Sequence, residues 1–297
     1  MSVPPGLEWW REEPDGSIWL EHLPDIVGEC AARWSLRLGE PFHNARISYV
    51  AQVELHDGTP AVLKINFPEP EGEREPDALG HWDGEGALRL LGRYDERRAL
   101  LVERCEPGTR LWETRDGDEV TRIVAGLLRR LWSPPGEDHP FRLLSDAAAD
   151  WADELPVGWE RLGRPYEESL LDEAVAFLRE AGPAQGDQVV LHQDLHGGNV
   201  LQARREPWLA IDPKPLVGER EFDTASFLRD RRWELRNTPL ASTTVRRRLD
   251  LLAAELDLDR DRMRGWGIAH ALAWGWDDES GWSGWAVEAA EAIADVR

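Results

Sequence analysis

The spacing of hydrophobic residues changes along the chain, and strand-like patterns dominate the first third. A helix is predicted over residues 23–36, where apolar residues recur at helical spacing. Two β-rich runs, ISYVAQVEL and PAVLKINF, then flank the sequence HDGT. An Asp-Gly pair between two such runs is typical of a β-hairpin. The second run carries Lys64 close to its end.

A short helix and two further strands complete this part of the chain. The helix is predicted around residues 78–82 and is closed by Gly84 and Gly86. The strands are predicted over residues 87–91 and 99–104, on either side of a charged turn. These two strands and the two of the hairpin are the four assigned strands of a small lobe predicted to be five-stranded, with one helix.

Beyond residue 107 the strand pattern gives way to apolar stripes at helical spacing. The predicted helices cover residues 118–132, 144–155, 166–180, 223–235, 243–256 and 259 onward. The predicted fold class is therefore α+β. An N-terminal cover helix and a β-rich lobe occupy residues 1–106, and a mainly helical lobe occupies residues 107–297.

Composition limits the classes of partner. No apolar run approaches the roughly 18 residues of a membrane span, and the N-terminal residues lack the pattern of a signal peptide, which favours the cytoplasm. Cys30 and Cys105 are the only cysteines of the chain, too few for a disulfide framework. A net charge of −22 disfavours nucleic acid and anionic membrane as partners and permits a cationic small molecule. No protein partner is indicated.

The stretch LHQDLHGGNVLQARREPWLAID carries the strongest chemical signal. Asn199 follows Asp194 by five residues, and Asp212 ends the strand-like run WLAID. Kinases that share a protein-kinase-like fold use this arrangement: an Asp accepts the proton of the acceptor hydroxyl, and an Asn and a second Asp hold magnesium. The order of lysine, acidic helix, strands, connector, helices and catalytic loop also matches. The sequence therefore predicts a protein-kinase-like fold with two lobes, using ATP and Mg²⁺.

The proposed roles follow from the chemistry of each group. A hydroxyl is a weak nucleophile, so a carboxylate such as Asp194 must orient it and take its proton. Magnesium prefers hard oxygen ligands, which Asn199 and Asp212 supply. Lys64 would place a positive charge on the phosphates, held by an opposing carboxylate. Glu75 is the first candidate for that carboxylate, but Pro76 disfavours helical geometry at Glu75, so the alternatives Glu73 and Glu71 stay open.

Several segments resemble a known family. The sequences LHQDLHGGNVL, REPWLAIDPKPLVGE and EFDTASFLRD look like those of the aminoglycoside phosphotransferases, closest to the branch of streptomycin 6-phosphotransferases and hydroxyurea-resistance kinases. The likeness extends over PAVLKI, LLVERCEPGTRL and most of the chain from about residue 45, and it is looser in the closing helices. The resemblance implies phosphorylation of a hydroxyl on a small cationic acceptor, with a streptomycin-type aminoglycoside as the leading substrate.

The resemblance also implies roles for individual residues. Asp223 would brace the catalytic loop, and His192 is likewise interpreted as structural. The hairpin lacks GxGxxG, so its backbone and Ser48 would cover the phosphates. Backbone groups of Glu103 and Cys105 would meet the edge of the adenine.

The acceptor site is predicted near the C-terminus. Trp274, Trp276, Asp277 and Asp278 lie together in LAWGWDDESGW, and aromatic faces beside carboxylates suit a cationic ligand. A helix end with solvated acids and packed Trp residues explains the same pattern. Two other functions stay open: a kinase of another small metabolite that shares the fold, and a nucleotide-binding pseudokinase.

Overall fold

A computed structural model describes the backbone of residues 3–230, 241–277 and 281–296. The chain forms two compact units, which are Met1–Gly108 with Gln202–Leu209, and Thr109–Leu201 with Ala210–Arg297. The sequence placed the lobe boundary after residue 106, and the return of residues 202–209 to the first unit was not foreseen. Within the described residues, no helix is both long and apolar enough to cross a membrane.

The first unit is built on a five-stranded antiparallel sheet. Its strands are β1 (Arg37–Pro41), β2 (Tyr49–Glu54), β3 (Pro60–Ile65), β4 (Leu90–Tyr94) and β5 (Ala99–Glu103), in the spatial order β1-β2-β3-β5-β4. Lys64 is paired with Val50 of β2 on one side and with Leu100 of β5 on the other. It therefore lies on a central strand of the sheet and not on an edge strand.

Two helices accompany this sheet. Helix α1 (Pro14–Trp34) packs its apolar side, including Leu23 and Val27, against sheet residues such as Leu63. It begins nine residues before the predicted start, and a proline is favourable in the first turn because its missing N–H has no helical partner there. The same reasoning explains α2 (Glu75–Trp82), which starts at Glu75 with Pro76 in its first turn rather than near residue 78.

Strand β4 and the segment before it differ from the prediction. Ala87 and Leu88 are buried but lie outside the strand, which begins at Leu90, three residues after its predicted start. Strand β1 occupies residues for which no strand run was assigned. Strand β1 is mostly exposed and joins the sheet through its antiparallel pairing with β2. Burial and local alternation therefore do not by themselves identify the residues that join the ladder.

The second unit is mainly helical. Its helices are α3 (Gly117–Leu131), α4 (Leu144–Arg161), α5 (Glu168–Ala181), α6 (Ala225–Leu228), α7 (Ala241–Leu256), α8 (Arg260–Ala273) and α9 (Gly284–Ala294). Its short strands are β6 (Arg142–Leu143), β7 (Gln188–Leu191), β10 (Leu216–Glu219), β11 (Trp276–Asp277) and β12 (Gly281–Trp282). Strands β6, β10 and β7 form one sheet, and β11 pairs with β12. Strands β8 (Val200–Gln202) and β9 (Trp208–Ala210) form a hairpin at the boundary of the two units.

The helical segment predicted from residue 259 onward is divided between two helices. The chain leaves α8 after Ala273, makes the β11–β12 hairpin and starts α9 at Gly284. The helix predicted over 223–235 begins as a 3₁₀ turn, Arg220–Thr224, followed by the single turn of α6. Residues 231–240 lie outside the described residues.

Candidate active site

A buried polar network surrounds Lys64 in the first unit. Lys64 Nζ donates to both Glu75 carboxylate oxygens at 2.7 Å, and the two side chains are 11% and 3% exposed. Asn66 Nδ2 donates to Glu75 Oε2 at 2.8 Å, and Ser48 Oγ donates to Asn66 Oδ1 at 2.7 Å. Of the three glutamates considered, Glu75 therefore lies against Lys64. Ser48 is tied to the network through Asn66, a residue that the sequence did not single out.

The connector after β5 is held by an arginine from the β8–β9 hairpin. Arg205 binds the Glu103 carboxylate, with Nη2 to Oε2 at 2.9 Å, and donates to the carbonyls of Gly84 and Ala87. Burial raises the pKa of the Cys105 thiol to about 12, so the thiol stays protonated and unreactive. The Glu103 side chain thus fixes the connector, while its predicted adenine contact stays a prediction.

The catalytic loop of the second unit is held by Asp223. This carboxylate accepts from the backbone N–H groups of His192 at 3.1 Å and Gln193 at 2.7 Å, and from the Trp132 indole at 3.0 Å. Asp223 is fully buried, and burial raises its pKa to about 6 although these hydrogen bonds oppose the shift. Gln193 has a positive φ of 67°, a conformation that few non-glycine residues adopt. The hydrogen bonds that Asp223 accepts from these two backbone N–H groups hold Gln193 in that conformation.

His192 links the loop to the strand that precedes Asp212. Its Nε2 lies 3.1 Å from the Ile211 carbonyl oxygen, which can only accept, so the ring carries its proton on Nε2. Burial lowers the pKa of His192 to about 4. The imidazole is therefore neutral at neutral pH and contacts a backbone carbonyl, and its structural role stays a prediction.

Asp194 is oriented from both sides. Asn199 Nδ2 lies 3.1 Å from Asp194 Oδ2, and Ser226 Oγ donates to Oδ1 at 3.1 Å. The guanidinium of Arg229 lies 3.6 Å from Oδ1. The Asp194 side chain is 15% exposed, so it is held in one orientation yet can be reached from solvent. A carboxylate in this state can accept a proton from a hydroxyl group.

The two candidate magnesium ligands lie on segments joined by a backbone hydrogen bond. Ile211 N donates to the Asn199 carbonyl at 2.9 Å, so Asp212 directly follows a residue paired with Asn199. Asp212 has a positive φ of 59°, and its carboxylate is 3.7 Å from Lys214 Nζ. Because the Asn199 amide nitrogen is bonded to Asp194, its oxygen is the atom that can face a cation.

These donors fit Mg²⁺ chemically. A carboxylate and an amide oxygen are hard ligands, and Mg²⁺ is usually completed by waters and phosphate oxygens. Among the described residues, no group of three or more His, Cys, Asp or Glu is arranged to hold a metal. The proposed pair therefore depends on the nucleotide for the rest of the coordination sphere.

A second clamp holds the far end of the catalytic loop. Asp230 accepts from Gly197 N and from the Trp112 indole, both at 2.7 Å, and Trp112 stacks on His196 with ring centroids 5.1 Å apart. A Cβ at Gly197 or Gly198 would come within 2.5 or 2.6 Å of Trp112. The two glycines are thus required by the close approach of this indole ring.

The predicted acceptor residues are only partly described. Trp274, at the end of α8, stacks on His270 with centroids 4.8 Å apart. Trp276 and Asp277 form β11, and their side chains lie outside the described residues, as does all of Asp278. The predicted grouping of these four side chains therefore lies largely outside the described residues and stays a prediction.

Sequence reasoning missed Ser226, Arg229 and Asp230, which touch the catalytic loop. A signal was present in FDTASFLRD, where Ser226 follows Asp223 by three positions, and Arg229 and Asp230 follow Ser226 by three and four. Such spacing places polar groups on one side of a helical turn. Arg205, in contrast, lies in a charged loop that looks solvated from sequence alone.

Comparisons with known proteins agree on the family. Residues 33–281 match the family model described as aminoglycoside/hydroxyurea antibiotic resistance kinase. The chain is 39% identical over 288 residues to a streptomycin 6-kinase of Streptomyces griseus, covering 94% of this chain and 92% of that protein. It is 38% identical over 259 residues to a hydroxyurea phosphotransferase of Kitasatospora aureofaciens, covering 86% of this chain and 73% of that protein.

Among solved structures, the aminoglycoside phosphotransferase APH(4)-Ia matches with a TM-score of 0.64 at 15% identity, covering 91% of this chain and 98% of that chain. A likeness at this identity shows the fold alone. It confirms the predicted α+β, protein-kinase-like fold.

Proposed function

The chain belongs to the aminoglycoside/hydroxyurea antibiotic resistance kinase family, and we propose that it transfers the γ-phosphoryl group of ATP to a hydroxyl of a streptomycin-type aminoglycoside. It is a phosphotransferase. The observation that carries the proposal is the geometry at Asp194, whose carboxylate is bonded by Asn199 and Ser226 within a loop braced by Asp223.

The proposed chemistry is an in-line transfer. The acceptor oxygen forms a bond to the γ-phosphorus while its proton passes to the Asp194 carboxylate. The bond between that phosphorus and the β,γ-bridging oxygen breaks, and ADP leaves with the electron pair. Asn199 and Ser226 keep the carboxylate in one orientation, so the enzyme spends little free energy on arranging the base during the reaction.

The nucleotide-binding groups are proposed as follows. Lys64, kept in place by Glu75 and Asn66, would contact the phosphates. Asn199 and Asp212 would hold Mg²⁺, which neutralises negative charge on the phosphates when it is bound. Backbone groups of the connector at Glu103 and Cys105 would meet the adenine.

A cationic acceptor fits the electrostatics. With a net charge of −22, the protein attracts cations over long range. The Streptomyces griseus relative is named for streptomycin, and inactivation of that antibiotic in the cytoplasm is the physiological role we propose.

The test is mass spectrometry of streptomycin after incubation with the protein, Mg²⁺ and ATP. A gain of one phosphoryl group is expected, and Asp194→Ala should abolish it while leaving the fold and ATP binding intact. Near-normal phosphorylation by that variant would overturn the role of Asp194.

A substrate panel separates the rival functions. Aminoglycosides, hydroxyurea, amino sugars and simple amino alcohols are compared by ADP release, with ATP and GTP as donors. Activity on a metabolite with none on any aminoglycoside would identify a metabolite kinase. Absence of magnesium-dependent ATP binding in calorimetry would identify a pseudokinase instead.

A further inference from the structure

The C-terminal segment is rich in tryptophan, and the proposed reaction does not use this feature. Two of these residues flank one buried cation. The guanidinium carbon of Arg229 lies 5.5 Å from the ring centroid of Trp274 and 5.4 Å from that of Trp285, which is in α9. Both distances are within the range of about 6 Å at which cation–π attraction is significant.

Arg229 is placed unusually for a charged side chain. The residue is 8% exposed, and its Nε makes no hydrogen bond to the described residues. An arginine keeps its proton in proteins, so a full positive charge is buried here. Burial of a charge is unfavourable unless it is compensated. The compensation comes from the two indole faces and from two carboxylates, Asp194, whose Oδ1 is 3.6 Å from Arg229 Nη2, and the neighbouring Asp230.

We propose that Arg229 is a positioning residue for Asp194, and that Trp274 and Trp285 serve Arg229 rather than the acceptor. This inference rests on the role of Asp194 in the proposed function. Ser226 and Arg229 both address Oδ1, while Asn199 addresses Oδ2, so the plane of the carboxylate is fixed from two sides. The indole faces that receive Arg229 are not open to a cationic acceptor.

The neighbouring polar groups are consistent with this assignment. The Asp230 carboxylate is turned toward Gly197 and Trp112. His270 stacks on Trp274, and burial, followed by the charge of Arg229, lowers the pKa of His270 well below its usual value. Arg229 is therefore the cation held between the Trp274 and Trp285 rings.

The test compares kinetic constants of variants. Arg229→Gln should lower kcat on the order of 10²-fold and change the KM values for ATP and acceptor by less than about 2-fold. Arg229→Lys should restore part of kcat, because it keeps the charge but lacks the planar fork. Trp285→Leu should lower kcat by roughly 10-fold, again without raising the acceptor KM. Arg247→Gln is the matched control, since Arg247 is exposed and pairs with Asp118.

Opposite outcomes would overturn the proposal. One is a raised acceptor KM with kcat retained in Trp285→Leu or Trp274→Leu, which would make the rings an acceptor wall. Another is a kcat for Arg229→Gln within about 2-fold of the wild type. Thermal melting and ATP titration monitor the fold, and if Arg229→Gln does not fold, Trp285→Leu decides.

Failure of the proposed function has a different signature, because it concerns the wild-type protein. If the wild type does not phosphorylate streptomycin, the substrate assignment fails. The same variants are then compared on the acceptor found by the panel or, without one, on ATP hydrolysis, where water supplies the hydroxyl proton. The pattern of kcat and KM supports or overturns the role of Arg229 in either case.

Discussion

The buried pair of Lys64 and Glu75 allows protein stability to be separated from nucleotide binding. Lys64→Met keeps the length of the side chain but removes its charge. The Glu75 carboxylate, 3% exposed, would then keep the Asn66 amide as its described hydrogen-bond donor. An uncompensated buried charge of this kind destabilises a protein by about 3–5 kcal/mol.

The double variant Lys64→Met with Glu75→Gln should be more stable than Lys64→Met alone. The carboxamide oxygen of Gln can still accept from Asn66, and no charge is left buried. The remaining cost is an unsatisfied amide donor, about 1–3 kcal/mol. The second substitution should therefore return about 2 kcal/mol, the difference between the two costs.

Hydrogen exchange of the amides in β3 and α2 measures the local free energy of opening around the pair. Calorimetry with magnesium-ATP measures nucleotide binding in the same variants, and binding should be lost in both because both lack the lysine charge. The reasoning is refuted if the double variant is less stable than Lys64→Met. Wild-type ATP affinity in either variant would refute the proposed role of Lys64.

Two further predictions concern the catalytic loop. Burial raises the pKa of Asp223 to about 6, so between about pH 4 and 6 the folded protein holds a proton that the unfolded chain has released. This contribution increases stability as pH falls. Asp223→Asn removes this contribution. Between pH 7 and pH 4.5, the free energy of unfolding measured by urea denaturation should therefore fall by about 2 kcal/mol more in the variant than in the wild type. An equal fall in the two proteins would contradict the assignment. In Gly197→Ala, the new Cβ would meet Trp112 at 2.5 Å and Asp230 at 3.1 Å, so kcat should fall on the order of 10²-fold. Gly126→Ala, where nothing lies within 4 Å, should leave kcat unchanged, and equal kinetics of these two glycine variants would refute the steric reasoning.

The order of chemical groups along the chain was predictable because it depends on local patterns. Alternating residues on both sides of HDGT define a hairpin, and Lys64 falls on its second strand. The spacing of Asp194 and Asn199 spans one short loop, so their proximity follows from chain geometry. Their hydrogen bond at 3.1 Å is consistent with that expectation.

Other features needed the tertiary structure. The sequence left Glu75, Glu73 and Glu71 open as partners of Lys64, and the fold places Glu75 of α2 against Lys64 of β3.

The sequence by itself determined the α+β class and the candidate base and metal ligands, because local periodicity and short-range spacing encode them, and it indicated the family through its resemblance to known sequences. Only the tertiary structure decided how Asp194 is held. Its partner Arg229 is enclosed by Trp274 and Trp285, which come from a helix end and from a separate helix. Contacts between residues so far apart in the chain form only when the helices pack, so no local periodicity records them.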